Sequence, residues 1–249
     1  MKDFTGNCLV KSDCLAVIIV NDDATYKRMM MDQLETELRQ ELIEITNRLS
    51  SRGLIRASGG NLSVKLSENE ILITPTRLAK GYLREEDIVV VDMQGHLLRG
   101  SLPPSMDTTF HLAAYETRPD AEAVVHAHPL ITTAFTVAGK SIPSGLLPEF
   151  EIFFPRGVPT VLYETPASRD LAEICRPFIA EFDIIVLTHH GTLSVGHSLT
   201  MAWMITEHLE TCMEVLFYAE CLGGANPLPE EEVNILREIH RRVNTVSDH

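Results

Sequence analysis

Three histidine positions in this chain have the spacing of a metal site. His126-Ala127-His128 closes a β-branched run, Ala123-Val124-Val125. On a strand, residues i and i+2 project from the same face, so two imidazoles at that spacing can grip one ion at about 2.0–2.1 Å each. A second histidine pair, His189-His190, ends another apolar run, Asp183–Thr188, and is followed by Gly191. A neighbouring strand end of this kind can supply a third ligand. Three imidazoles with an open position make the geometry a catalytic divalent metal needs. Imidazoles also occur in cores, bonded to backbone carbonyls. Here both groups sit where strands run into Pro or Gly loops, the places where functional residues concentrate. His111 lies within an apolar helical pattern and reads as a packed, hydrogen-bonded core residue. His96, His197, His208, His240 and His249 fall in no pattern and read as surface or structural.

Two turns carry further chemistry. Ser58-Gly59-Gly60-Asn61-Leu62-Ser63 exposes consecutive backbone N–H groups and small side chains, a way to cradle a phosphate. Its plainer reading is a helix-to-strand loop. Pro103-Pro104-Ser105-Met106-Asp107 opens a helix, whose N-terminus favours anions. Asp107 is either the helix N-cap or a carboxylate turned toward the metal as ligand or acid/base.

The elements that must position these residues follow from periodicity. Leu34, Leu38, Leu42, Ile45 and Leu49 recur every three or four residues and predict a helix over 32–52. Strands are predicted at 62–66, 70–74 and 88–92, with a hairpin through Gly95 to His96-Leu97-Leu98. Helices are predicted at 107–118, 130–138, 168–180, 199–222 and 229–246, and strands at 123–128, 160–163, 183–188 and 191–195. The run 183–188 is nearly all apolar, so it is expected to be buried on both faces. Hairpins flanked by helices point to an α/β class, a three-layer α/β/α sandwich. Residues 1–30 differ from the rest and end at Met29-Met30-Met31. They read either as an extra edge strand or as a dispensable leader to a start near Met31. The domain organisation is therefore an N-terminal extension over 1–30 and one domain over 31–249.

Composition excludes several classes. The formal net charge is −14, which disfavours nucleic acid and anionic membrane as partners. Five cysteines without a CxxC pattern suit a reduced, cytoplasmic protein. The apolar run 14–20 is too short to span a bilayer.

The ordered set of motifs closely resembles the class II aldolase and adducin family. It comprises Gly60-Asn61-Leu62-Ser63-Val64, Ile71-Leu72-Ile73-Thr74-Pro75-Thr76, Pro104-Ser105-Met106-Asp107 with His111, Ala123 through Pro129, and His189-His190-Gly191. The resemblance covers about residues 32–225. It implies a central, mainly antiparallel sheet between helices. It also implies that His126, His128 and His190 are the metal ligands, with Zn²⁺ favoured and Mn²⁺, Fe²⁺ or Co²⁺ as substitutes. Asp107 stands where the family places a glutamate that moves protons. Gly60, Asn61, Thr76 and Ser105 fall at the substrate phosphate. Arg77 replaces a glycine there and can fork onto a phosphate or a carboxylate, and Met106 replaces a serine. Members usually form homotetramers.

The implied activity is metal-dependent retro-aldol cleavage of a ketose 1-phosphate, of the fuculose 1-phosphate kind, to dihydroxyacetone phosphate and an aldehyde. Decarboxylation, epimerisation or dehydration of a related sugar phosphate or keto acid is the alternative. A non-catalytic, adducin-like interaction module is the reading from another class, and the three retained histidines argue against it.

Overall fold

The computed structural model describes residues 12–246. Ser12–Ser51 forms one helix, α1. No glycine or proline interrupts this stretch, so nothing stops the helix until Gly53, at φ 73°. The edge strand offered for the N-terminal segment is thus not formed over 12–30, and residues 1–11 lie outside the described residues. Met1–Glu37 and Leu38–His249 are separate compact units. In the first, Tyr26, Met29, Met30, Met31 and Leu34 are exposed.

The second unit is built on an eight-stranded sheet. Its strands are β1 Asn61–Ser67, β2 Glu70–Ile73, β3 Val89–Asp92, β4 Leu97–Arg99, β5 Ala123–Ala127, β6 Thr160–Val161, β7 Ile184–Leu187 and β8 Gly191–Gly196. Their spatial order is β4-β3-β2-β1-β5-β8-β7-β6. Every pairing is antiparallel except that of β6 with β7. The helices of this unit are the remainder of α1, α2 Thr108–Thr117, α3 Leu130–Val137, α4 Pro148–Phe153, α5 Arg169–Ile179, α6 Leu199–Cys221 and α7 Glu230–Val246. The unit is therefore α/β in class, as the sequence predicts, and its sheet is mainly antiparallel, as the family resemblance implies.

Strand alternation sorts the core. Ile71, Ile73, Val89, Val91 and Val124 pack with Phe110 and Ala114 of α2 and with Leu171 and Cys175 of α5. Their neighbours Leu72, Val90 and Val125 pack with Leu42, Ile45 and Leu49 of α1 and Ala202 of α6. In β7, Ile185 and Leu187 join the first group, while Ile184 and Val186 pack with Leu209 and Met213 of α6. That strand is buried on both faces, as its apolar run requires. The sequence gives no expectation of α4, a short helix opened by Pro148. Strand β6 is shorter than predicted, and Leu162 and Tyr163 beyond it are exposed.

Candidate metal centre

The strand ends deliver the histidines to one point. His126 is on β5, opposite Asn61 on β1 and Leu193 on β8. His128 follows that strand, and its backbone N–H donates to the Leu54 carbonyl at 2.8 Å. His190 sits in the Thr188–His190 turn of the β7–β8 hairpin, its N–H donating to the Leu187 carbonyl at 3.1 Å. The preceding residue, His189, takes the left-handed conformation at φ 59°. Together these bring one ring nitrogen from each of His126, His128 and His190 within 4.8 Å of one another. The Nε2 atoms of His126 and His128 are 3.0 Å apart.

Several observations fit a divalent ion among these rings. The His126 ring is fully buried, and its Nδ1–H donates to the Thr192 carbonyl at 2.8 Å. That bond fixes the tautomer and leaves the Nε2 lone pair free for a metal. The Nδ1 of His190 is buried with no hydrogen-bond partner among the described residues, which suits a donor set built for an ion. Burial holds all three imidazoles below their usual 6.5, His126 to about 4 and His128 to about 3. At neutral pH they are uncharged, the form that binds metal. Glycines let the backbone close around the cluster. A Cβ on Gly59 would come 2.8 Å from His128 Nδ1, and one on Gly191 would overlap the Ala127 carbonyl. His128 and His190 are half-buried, so one side of the cluster is open.

Asp107 occupies the N-cap position of α2, but its side chain caps nothing. The carboxylate instead accepts from Asn61 Nδ2 at 2.7 Å and stands 4.0 Å from His126 Nε2. Of the two sequence readings, the carboxylate turned toward the histidines is the one formed. Burial raises its pKa, but His126, the Asn61 amide, His111 and His190 outweigh that and hold it below the usual 3.8.

Of the remaining predicted site residues, Asn61 opens β1 beside His126, and Gly60, Thr76, Arg77 and Ser105 lie on loops. Gly60, at φ 73°, has no room for a side chain: a Cβ would meet Ile55 Cγ2 at 2.5 Å. Pro75 and Pro104 form a β-bridge, and Thr76 N–H donates to the Pro103 carbonyl at 3.1 Å. These contacts set the loop of Thr76 and Arg77 against that of Ser105. The Ser105 hydroxyl accepts from Asp107 N–H at 3.3 Å. Thr76 is half-buried and Arg77 exposed, the latter in the left-handed region at φ 64°. The Asn61 side chain points to Asp107 and to His111, whose Nε2 is 2.5 Å from Asn61 Oδ1.

Sequence reasoning missed two charged groups that hold the site loops. Lys80 is 2 % exposed and donates from Nζ to the Pro75 carbonyl at 2.7 Å, bracing the loop that carries Thr76 and Arg77. Burial lowers its pKa to about 8, with Asp107 opposing. Glu210 of α6 accepts from Ile131 N–H at 2.7 Å, Thr132 N–H at 2.9 Å and Thr132 Oγ1 at 2.7 Å. It thereby caps α3, the helix that starts two residues after His128. A lysine in a Gly-bearing loop, and an acid inside a long apolar helix, were the signals available for them.

Comparison with known proteins agrees with this geometry. Residues 40–217 match the model of the class II aldolase and adducin N-terminal domain. An L-fuculose phosphate aldolase of Methanococcus maripaludis is 36% identical over 181 residues, 73% of this chain and 96% of that protein. A 3-oxo-tetronate 4-phosphate decarboxylase of Haemophilus influenzae is 31% identical over 191 residues, 76% of this chain and 89% of that protein. Among solved structures, an L-fuculose 1-phosphate aldolase superposes with a TM-score of 0.74 at 28% identity, covering 83% of this chain and 97% of its own. With the family model spanning most of the sheet and both histidine groups, the chain belongs to the class II aldolase and adducin family.

Proposed function

We infer that the chain is a divalent-metal carbon–carbon lyase that cleaves a ketose 1-phosphate to dihydroxyacetone phosphate and an aldehyde. The observation that carries this reading is the convergence of three neutral imidazoles with a carboxylate 4.0 Å from one of them. His126, His128 and His190 would hold the ion, and Zn²⁺ suits an all-imidazole set. A divalent ion there supplies a Lewis acid for the substrate oxygens on which negative charge collects as the bond breaks.

The protein's own groups do the rest. Asp107, deprotonated at neutral pH and fixed by Asn61, would take the proton of the substrate hydroxyl that becomes the aldehyde oxygen and return it to the carbon that keeps the electron pair of the broken bond. The loops carrying Gly60, Thr76, Arg77 and Ser105 bind and orient the phosphate. Arg77, at a position the family gives to glycine, adds a guanidinium suited to paired anionic oxygens. Asp107 is one CH₂ shorter than the family's glutamate, and its bond to Asn61 holds it beside the histidines instead of among them. We take the helices on the two sheet faces as the family's α/β/α sandwich, residues 31–249 as its domain, and a cytoplasmic homotetramer as the assembly.

A second reading is favoured by one observation. Likeness to a 3-oxo-tetronate 4-phosphate decarboxylase nearly equals that to the aldolases, and the added cation at Arg77 suits a substrate bearing a carboxylate as well as a phosphate. Assay of the Zn²⁺-, Mn²⁺- and Co²⁺-loaded protein against ketose 1-phosphates and phosphorylated 3-keto acids separates the two. Release of dihydroxyacetone phosphate supports the lyase. Release of CO₂ replaces it with the decarboxylase, and no turnover of any substrate overturns both.

A further inference from the structure

A line of buried polar side chains runs away from Asp107 into the core. On α2 and its N-cap, Asp107, His111 and Tyr115 are spaced by four and form one stripe. On β1, Asn61 and Ser63 are spaced by two and face that stripe. Asn61 Nδ2 is 2.7 Å from Asp107 Oδ2, and Asn61 Oδ1 is 2.5 Å from His111 Nε2. His111 Nδ1 is 2.6 Å from Ser63 Oγ, which is 2.8 Å from the Tyr115 hydroxyl. Asn61, Ser63, His111 and Tyr115 are all buried, none more than 4 % exposed.

The carboxylate end sets the donors along this line. A carboxylate only accepts, so Asn61 must present its N–H to Asp107 and its carbonyl to His111. His111 must then donate from Nε2. Burial holds that imidazole neutral, with a pKa of about 4, so its Nδ1 accepts from the Ser63 hydroxyl. Ser63 in turn accepts from the Tyr115 hydroxyl. The donor sense is fixed from the Tyr115 hydroxyl at one end to the carboxylate at the other.

Resting on the assignment of Asp107 as the proton-moving group, we propose that Asn61 and His111 are positioning residues for its carboxylate, the Asn61 amide donating to Asp107 in the orientation that His111 sets. An asparagine amide free to rotate can present either end. With its carbonyl turned outward it would repel the acid and release it from the histidines. His111, locked as the Nε2–H tautomer, allows only one orientation. This role stands beside the phosphate contact that the family resemblance implies for Asn61, since the amide carries a second N–H.

The test uses the metal-loaded full chain with His111→Leu, His111→Gln and Asn61→Ala. Glutamine keeps a donor near the place of Nε2, so it is the conservative rescue. His111→Leu and Asn61→Ala are expected to lower kcat by about 10- to 100-fold, with KM and inhibition by inorganic phosphate within about twofold of wild type for His111→Leu. His111→Gln should regain most of the loss. A rise in KM and in the phosphate inhibition constant for Asn61→Ala at unchanged kcat would overturn the proposal, as would His111→Leu at wild-type kcat. Nitrogen-15 NMR of the His111 ring in the wild-type protein gives a readout independent of turnover. A protonated Nε2 with a bare Nδ1 supports the line of donors, and the opposite tautomer or a doubly protonated ring overturns it. Were the wild type inactive on every substrate, the lyase reading would fail while the ring spectrum still decided this one.

Discussion

At the scale of single residues, the site combines a neutral donor set with one anionic group. His126 owes its neutrality to burial, and its tautomer to the Thr192 carbonyl. Asp107 keeps its charge because its neighbours outweigh burial. Asp107→Asn removes the proposed proton carrier while retaining hydrogen-bonding atoms. It is expected to cut kcat by about 10²- to 10⁴-fold with metal content unchanged, measured by steady-state kinetics beside elemental analysis. Wild-type turnover in that variant would remove Asp107 from the chemistry. The histidine pairing was legible in the sequence because strand periodicity alone puts residues 126 and 128 on one face. The burial of Lys80 was not, since its carbonyl partners are set by the turn that the loop makes. The same holds for the turning of the Asp107 side chain, because an N-cap aspartate and a site aspartate look alike until the opposing strand supplies Asn61.

At the scale of elements, strand ends and helix starts do the positioning. The β7–β8 hairpin delivers His190, and β5 delivers His126 and His128 before Pro129 starts α3. The first turn of α3 has no side-chain cap of its own, and the Glu210 carboxylate reaches across from α6 to bind two of its amides and a hydroxyl. Glu210→Ala leaves those buried donors without a partner. It is expected to destabilise the fold by about 2–4 kcal/mol, read from urea unfolding, and to weaken metal retention through the displaced His128. Unchanged stability would show that α3 does not depend on this cap. Most helices and strands could be read from apolar spacing, because alternation or a helical stripe fixes each against the sheet. Two features escaped that logic. Helix α1 continues upstream to Ser12 without the apolar spacing that marks 34–49, and α4 is too short to show a period.

At the scale of the whole molecule, a mainly antiparallel sheet gathers sequence-distant segments at one end. Residues 54–61, 75–80, 103–107, 126–128 and 189–191 all meet there. The same burial that prepares the site makes the fold sensitive to acid. His111 and His126 have folded pKa values lowered to about 4 from 6.5. The unfolded chain then binds more protons between those values, so stability rises with pH across that window. The contribution is full above about pH 6.5 and is lost as pH falls toward 4. For His111 alone it is on the order of 3 kcal/mol. Urea midpoints of the metal-free protein should therefore fall steadily from pH 6.5 to 4. His111→Gln, which cannot be protonated in either state, should flatten part of that slope. Equal slopes in both proteins would contradict the buried neutral state of His111.

The most direct test of the account is metal stoichiometry. Wild type and His126→Ala, His128→Ala and His190→Ala would each be dialysed against Zn²⁺, separated from free ion and measured by elemental analysis. Circular dichroism would establish that each variant is folded. The account predicts close to a single ion per chain in the wild type and marked loss in each folded variant. Full retention of metal in all three, or none in the wild type, would contradict it.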